Sequence, residues 1–143
     1  MEQAIEDLTR GNVAEVKVIL ATVVLALAAY QLLLAAVGYG RLRLPPLSSA
    51  AALWTHRASG DTIVLLTVTV AAMCVGYHGF ELGDDGGTHA IVALALLGAI
   101  AVKVLAVRVG GRLGRLLPLL GASVFALLTI TWLTSAGDFL GVG

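Results

Sequence analysis

The chain has 143 residues, 59% of them apolar and 13% charged, with nine basic side chains balancing nine acidic ones. A soluble domain carries about 25% charged residues. This chain therefore lacks the side chains to cover a water-facing surface, and its mean hydropathy of +0.96 points to lipid as the solvent. A net charge of zero argues against a nucleic-acid partner, which needs a concentrated basic face. The single cysteine, Cys74, rules out a disulfide framework or a paired-cysteine metal site. A membrane-spanning helix takes ~20 mostly apolar residues, so four of them nearly exhaust the chain. The expected fold is all-α: one transmembrane domain over residues 1–143, an integral membrane four-helix bundle running up-down-up-down.

The first span is expected over about Val18 to Gly38, with Gln31 its one polar interruption. The stretch before it is mixed and mostly acidic, and the apolar run is longer than the ~7–15 residues of a signal-peptide core, so it reads as a retained helix. A connector with Arg41, Arg43 and Pro45-Pro46 follows, and Ser48 or Ser49 can cap the next helix. That second helix is expected over residues 49–80, with Arg57 and Asp61 four apart and able to pair. A turn-rich segment, ELGDDGGT, leads to the third span, about His89 to Val107, for which Thr88 is a candidate cap. Lys103 near its end can snorkel to the closest surface. A connector with Arg108, Arg112 and Arg115 leads to the fourth span, about Leu116 to Ala136, with Pro118 in its first turn. Gly98 reads as a helix-packing glycine, Met73 and Cys74 as mid-span packing, and Trp132 and Thr134 as part of an aromatic belt.

Orientation follows from the arginines. The first and third connectors carry Arg41, Arg43, Arg57, Arg108, Arg112 and Arg115, whereas the second carries Glu81, Asp84 and Asp85. By the positive-inside rule the first and third are cytoplasmic, which places both termini on the outer side of a bacterial plasma membrane.

Three histidines stand out in a chain that otherwise avoids polar side chains, because ionisable residues in a membrane are costly and mark function. His56 and His78 lie 22 residues apart on one helix, roughly 33 Å at 1.5 Å per residue, and so mark opposite membrane edges. His78 closes the second span and His89 opens the third. In an antiparallel hairpin the two share one depth on adjacent helices. Two neutral imidazoles facing each other across a bundle form the usual six-coordinate haem b site. Gly76 and Gly79 flank His78 and leave room for a flat macrocycle, with Tyr77, Phe80 and Thr88 as candidate lining. Other readings stay open. Either histidine can simply hydrogen-bond water among the headgroups, and His78, Glu81, Asp84, Asp85 and His89 together suit a divalent zinc, iron or copper ion. His56 with Arg57 can hold haem propionates, hydrogen-bond a quinone carbonyl, or form an interfacial anchor with Trp54.

The runs WTHRASG, GYHGF, THAIVALALLGAIAVKVLAVR and ITWLTSA resemble a family of uncharacterised four-helix membrane proteins common in actinobacteria, over about residues 50 to 136. More distantly, HRASG followed by an apolar helix is similar to the start of the transmembrane core in membrane b-type cytochromes of the cytochrome b561 and ferric-reductase types. That resemblance implies haem b iron and electron transfer, with quinone as a candidate partner and with His78 and His89 as the ligands.

No residue reads as a catalytic acid, base or nucleophile in a defined pocket, so an electron-transfer component is expected more than a stand-alone enzyme. The leading expectation is a haem b relay between a membrane donor such as a quinol and an outer-face redox partner, working as a subunit of a larger system. The alternatives are a non-redox accessory or assembly subunit and a divalent-metal-binding membrane protein. A channel or transporter is disfavoured, since only Gln31 and Lys103 are strongly polar within the spans.

Overall fold

The computed structural model describes residues 2–78 and 85–141, and within these the side chains of Glu2, Leu8, His78, Asp85, Gly86, Gly111, Arg112, Leu113 and Asp138 lie outside the description. The chain forms a short helix α1 (Glu2–Thr9) and then α2 (Val13–Gly38), α3 (Ser49–His78), α4 (Asp85–Val109) and α5 (Leu117–Trp132). A 3₁₀ segment, Gly111–Leu116, leads into α5. The chain leaves α5 through a π-helical turn, Leu133–Gly137, and ends in α6 (Asp138–Leu140). Among the described residues, four helices are long and apolar enough to cross a membrane, in Val13–Gly38, Ser49–Tyr77, Gly87–Val109 and Gly114–Gly137.

The four expected spans are all present, with shifted ends. α2 starts five residues before Val18, because Val13 and Val16 continue its apolar face and Glu15 sits in the first turn, where the helix dipole favours an acid. α4 starts at Asp85, so Thr88 lies one turn inside the helix and is not its cap. Ser48 does cap α3: its Oγ accepts the Ala51 N–H at 3.2 Å. Pro118 sits in the first turn of α5, where its missing N–H costs nothing. α1 is an addition to the expected elements. It rests on α2 and α3, and the chain turns from it into α2 through Arg10 and Gly11, both at positive φ.

The packing is uneven. α2 lies against α3, α4 against α5, and α2 against α5, whereas α3 and α4 touch little. The bundle is therefore two hairpins joined along α2 and α5, with a seam between α3 and α4. Its core is a mid-membrane layer drawn from all four spans: Val24 and Ala28, Ile63, Leu96 and Ile100, Val124 and Leu128. Pairs four residues apart on α2, α4 and α5 are the signature of one helix face turned inward. Leu65, Ile91 and Leu119 are about two-thirds exposed, as side chains facing lipid must be (67%, 63% and 66%). Lipid tails are as apolar as leucine, so close packing and interhelical hydrogen bonds hold such a bundle together.

Candidate functional site

The α3–α4 seam opens at one end into a cavity of about 530 Å³ reached by all four spans. Small residues make the hollow: Ala14 and Ala21 on α2, Ala71 on α3, Ala90 and Ala93 on α4. Val75 and Leu94 line it from either side of the seam while remaining 45% and 47% exposed, so the cavity opens sideways toward lipid. From Thr67 to Val75 its α3 wall is about 12 Å tall at 1.5 Å per residue.

His89 lines this cavity from the first turns of α4, and its Nδ1 lies 3.0 Å from the Thr134 hydroxyl on the π-helical turn. The Thr134 hydroxyl has one proton, which it donates to backbone at Ile130 O (3.0 Å) or Thr131 O (3.2 Å). With the proton there, the oxygen accepts, the His89 ring donates from Nδ1 and Nε2 carries the lone pair; a hydroxyl that turns its proton to Nδ1 gives the other tautomer. No described residue hydrogen-bonds that Nε2. An imidazole held by its outer N–H, with the other nitrogen carrying a lone pair, is how proteins prepare a histidine to bind metal. The π turn matters here because it adds a residue to the helix and re-aims the side chains beyond it. It carries Thr134 to α4, two residues after Trp132, whose Nε1 donates to Thr22 Oγ on α2 at 2.9 Å. Trp132 and Thr134 thus join helices and line the cavity, a role beyond that of an aromatic belt.

Lys17 and Cys74 also line the cavity, Lys17 with its ammonium 5.9 Å from the centre of the Tyr77 ring. By sequence alone Lys17 falls in the N-terminal tail and Cys74 in mid-span packing. The chemistry of this wall would suit a haem held by His89. It offers a neutral imidazole with a free Nε2, a cation at the same end for a carboxylate, and otherwise apolar side chains around a volume in the ~300–1,000 Å³ range of small-molecule sites. His78, the expected second ligand, ends α3 one turn beyond Cys74, and its side chain lies outside the described residues. So does most of the divalent-ion set, with Glu81 and Asp84 undescribed and the Asp85 side chain likewise. Among the described residues, no three His, Cys, Asp or Glu side chains gather as a metal site.

His56 lies toward the other end of α3, bound to α2. Its Nδ1 is 3.2 Å from the Gln31 carbonyl oxygen, while the Gln31 amide nitrogen donates back to His56 O (2.6 Å) and to Ser59 Oγ (2.8 Å). A carbonyl only accepts, so here the ring donates from Nδ1 and Nε2 is the bare nitrogen. The neutral ring thus has no Nε2 proton to give a quinone carbonyl. A Cβ on Gly60 would stand 3.4 Å from the Gln31 amide nitrogen, an ordinary van der Waals contact. Gln31 is 6% exposed, and its Oε1 has no partner among the described residues. Arg57 and Asp61 are both exposed and form no ion pair among the described residues. Gly98, expected to let helices approach, faces open space.

These features define a multi-pass membrane protein built as a four-helix bundle with a lipid-facing cavity. Over residues 2–142 the chain matches the family of unknown function DUF6529, and it belongs to that family. No curated protein and no solved structure matches it.

Proposed function

We propose that the protein holds haem b in the cavity beside His89 and relays electrons between a membrane donor, with a quinol as the candidate, and a redox partner at the outer face. The observation that carries this reading is the His89 ring. It is held through Nδ1 by Thr134, makes no hydrogen bond at Nε2 among the described residues, and is set in the wall of a cavity large enough for a small-molecule cofactor. Bound there, the group supplies one-electron exchange at its iron. The chain's own residues supply the rest. Thr134 holds the His89 ring through Nδ1, Lys17 offers a cation to an acidic edge, and the apolar walls keep water from the site. His78, at the end of α3, is the proposed second ligand.

The arginine asymmetry supports an orientation with the His89 end outward and both termini outside a bacterial plasma membrane. A bundle of this size has little surface beyond the bilayer on which to hold a flavin or nicotinamide, which supports work as one subunit of a larger system.

The test is a dithionite-reduced minus oxidised absorption spectrum of the detergent-purified chain, expressed with haem supplied. A b-type α-band, lost in both His78→Ala and His89→Ala and kept in His56→Ala, is the expected result. A colourless wild-type protein overturns the reading.

A further inference from the structure

The side of α3 turned away from the bundle carries both signs of charge. Trp54, Arg57, Asp61, Leu65 and Val68 are all exposed and stand three or four residues apart, so they share one face of the helix. Ala58 and Thr62 widen that face with small side chains. Trp54, 73% exposed, suits the membrane boundary near the start of α3. Asp61 lies seven residues further along the span, roughly 10 Å at 1.5 Å per residue. Arg57 is long enough to snorkel back to the headgroups, and an aspartate one turn deeper is not.

A carboxylate facing lipid is costly, and charged side chains within spans almost always pair or turn toward protein. In the single chain Asp61 does neither. Its side chain makes no hydrogen bond or ion pair with any described residue, and nor does that of Arg57, although the two are four apart. Their order works against a pair within the helix, because such pairs favour the acid on the N-terminal side.

The charges on this face say what covers it. One of each sign, a turn apart, makes the face complementary to itself. Two copies in one membrane share an orientation, so a closed pair is related by a two-fold axis along the membrane normal. α3 then lies beside α3, and each Arg57 reaches one turn along to the other copy's Asp61, twice over. Ala58 and Thr62, four apart, are the small residues that let two membrane helices come close.

We propose that the chain forms a two-fold dimer through the lipid-facing side of α3, with Arg57 of each copy paired to Asp61 of the other. This goes beyond the relay reading and does not rest on haem.

Sedimentation equilibrium of the full chain, without haem and in density-matched micelles, measures the dimer directly. A monomer–dimer equilibrium is expected. Arg57→Asp and Asp61→Arg each set like charges against one another and should each weaken the dimer at least about tenfold. The double variant Arg57→Asp/Asp61→Arg restores opposite charges and should dimerise close to wild type. Mixing the two single variants should give heterodimers, because each then meets its opposite, and such rescue is not open to a misfolded chain. A wild-type chain that stays monomeric overturns the proposal. So does a dimer that both single variants leave unchanged, or a double variant that stays monomeric while its helical circular dichroism matches wild type. A chain that dimerises in this pattern but stays colourless with haem supplied sinks the relay alone.

Discussion

His89 and Thr134 are 45 positions apart in the chain, and a 3.0 Å hydrogen bond joins them across α4 and the π turn. The hydroxyl does more than anchor a ring. When its own proton goes to the α5 backbone, the His89 ring must donate from Nδ1, and Nε2 is then the bare nitrogen.

Removing that hydroxyl should therefore weaken the site while leaving His89 in place. In Thr134→Val the ring loses its Nδ1 acceptor, and partners of this kind are typically worth about 10–100-fold in metal affinity. Haem titration of the purified variants should show a loss of about that size, with Thr134→Ser close to wild type. Equal haem affinity in Thr134→Val and wild type would show that the threonine is not part of the site.

Two glycines separate close packing from open space. A Cβ on Gly38 would stand 2.6 Å from Leu53 Cδ2, so Gly38→Ala must push a leucine at the tight end of the α2–α3 hairpin. The expected cost is about 1–3 kcal/mol. Gly98→Ala meets nothing within 4 Å in the middle of α4 and should stabilise by about 0.5–1 kcal/mol. Unfolding of both variants in mixed micelles by SDS titration gives the two signs directly.

Gln31→Leu should destabilise by about 1 kcal/mol in the same assay. The change deletes two interhelical donors but also removes the orphaned Oε1, and the second effect offsets part of the first. Hydrogen bonds between membrane helices average about 0.6 kcal/mol, which keeps the figure small. A stabilised variant would mean that the orphan outweighs both bonds.

Cys74 is the chain's one thiol and lines the cavity from α3. A small lipid-soluble maleimide should label it in membranes, and filling the cavity with haem should slow that labelling several-fold. Intact-mass spectrometry reads the extent. Labelling at the same rate with and without haem would place the haem elsewhere.

Apolar content alone reveals the spans, because four stretches of ~20 residues have no other stable solvent. Ser48 and Pro118 mark helix starts by local chemistry, and the structure keeps both there. The hidden features depend on partners distant in sequence. Nothing local announces that Thr134 faces His89, that Gln31 faces His56, or that a π turn comes after Trp132. α1 escapes notice for a different reason. Eight residues of mixed charge make a poor helix in isolation, and this one forms by resting on α2 and α3. Gly98 misleads because small residues signal close approach only when a neighbouring helix is there to approach.

The thin contact between α3 and α4 also makes the surrounding membrane part of the fold. Two hairpins held along α2 and α5 resemble a book bound on one side, and on the open side the sideways squeeze of the lipids holds the covers together. Transferred to detergent, which exerts less of that squeeze, α3 and α4 should be the first helices to part. Hydrogen exchange along them should then run faster in micelles than in lipid nanodiscs, while α2 and α5 change little. Equal exchange in the two settings would mean that side-chain packing alone closes the seam.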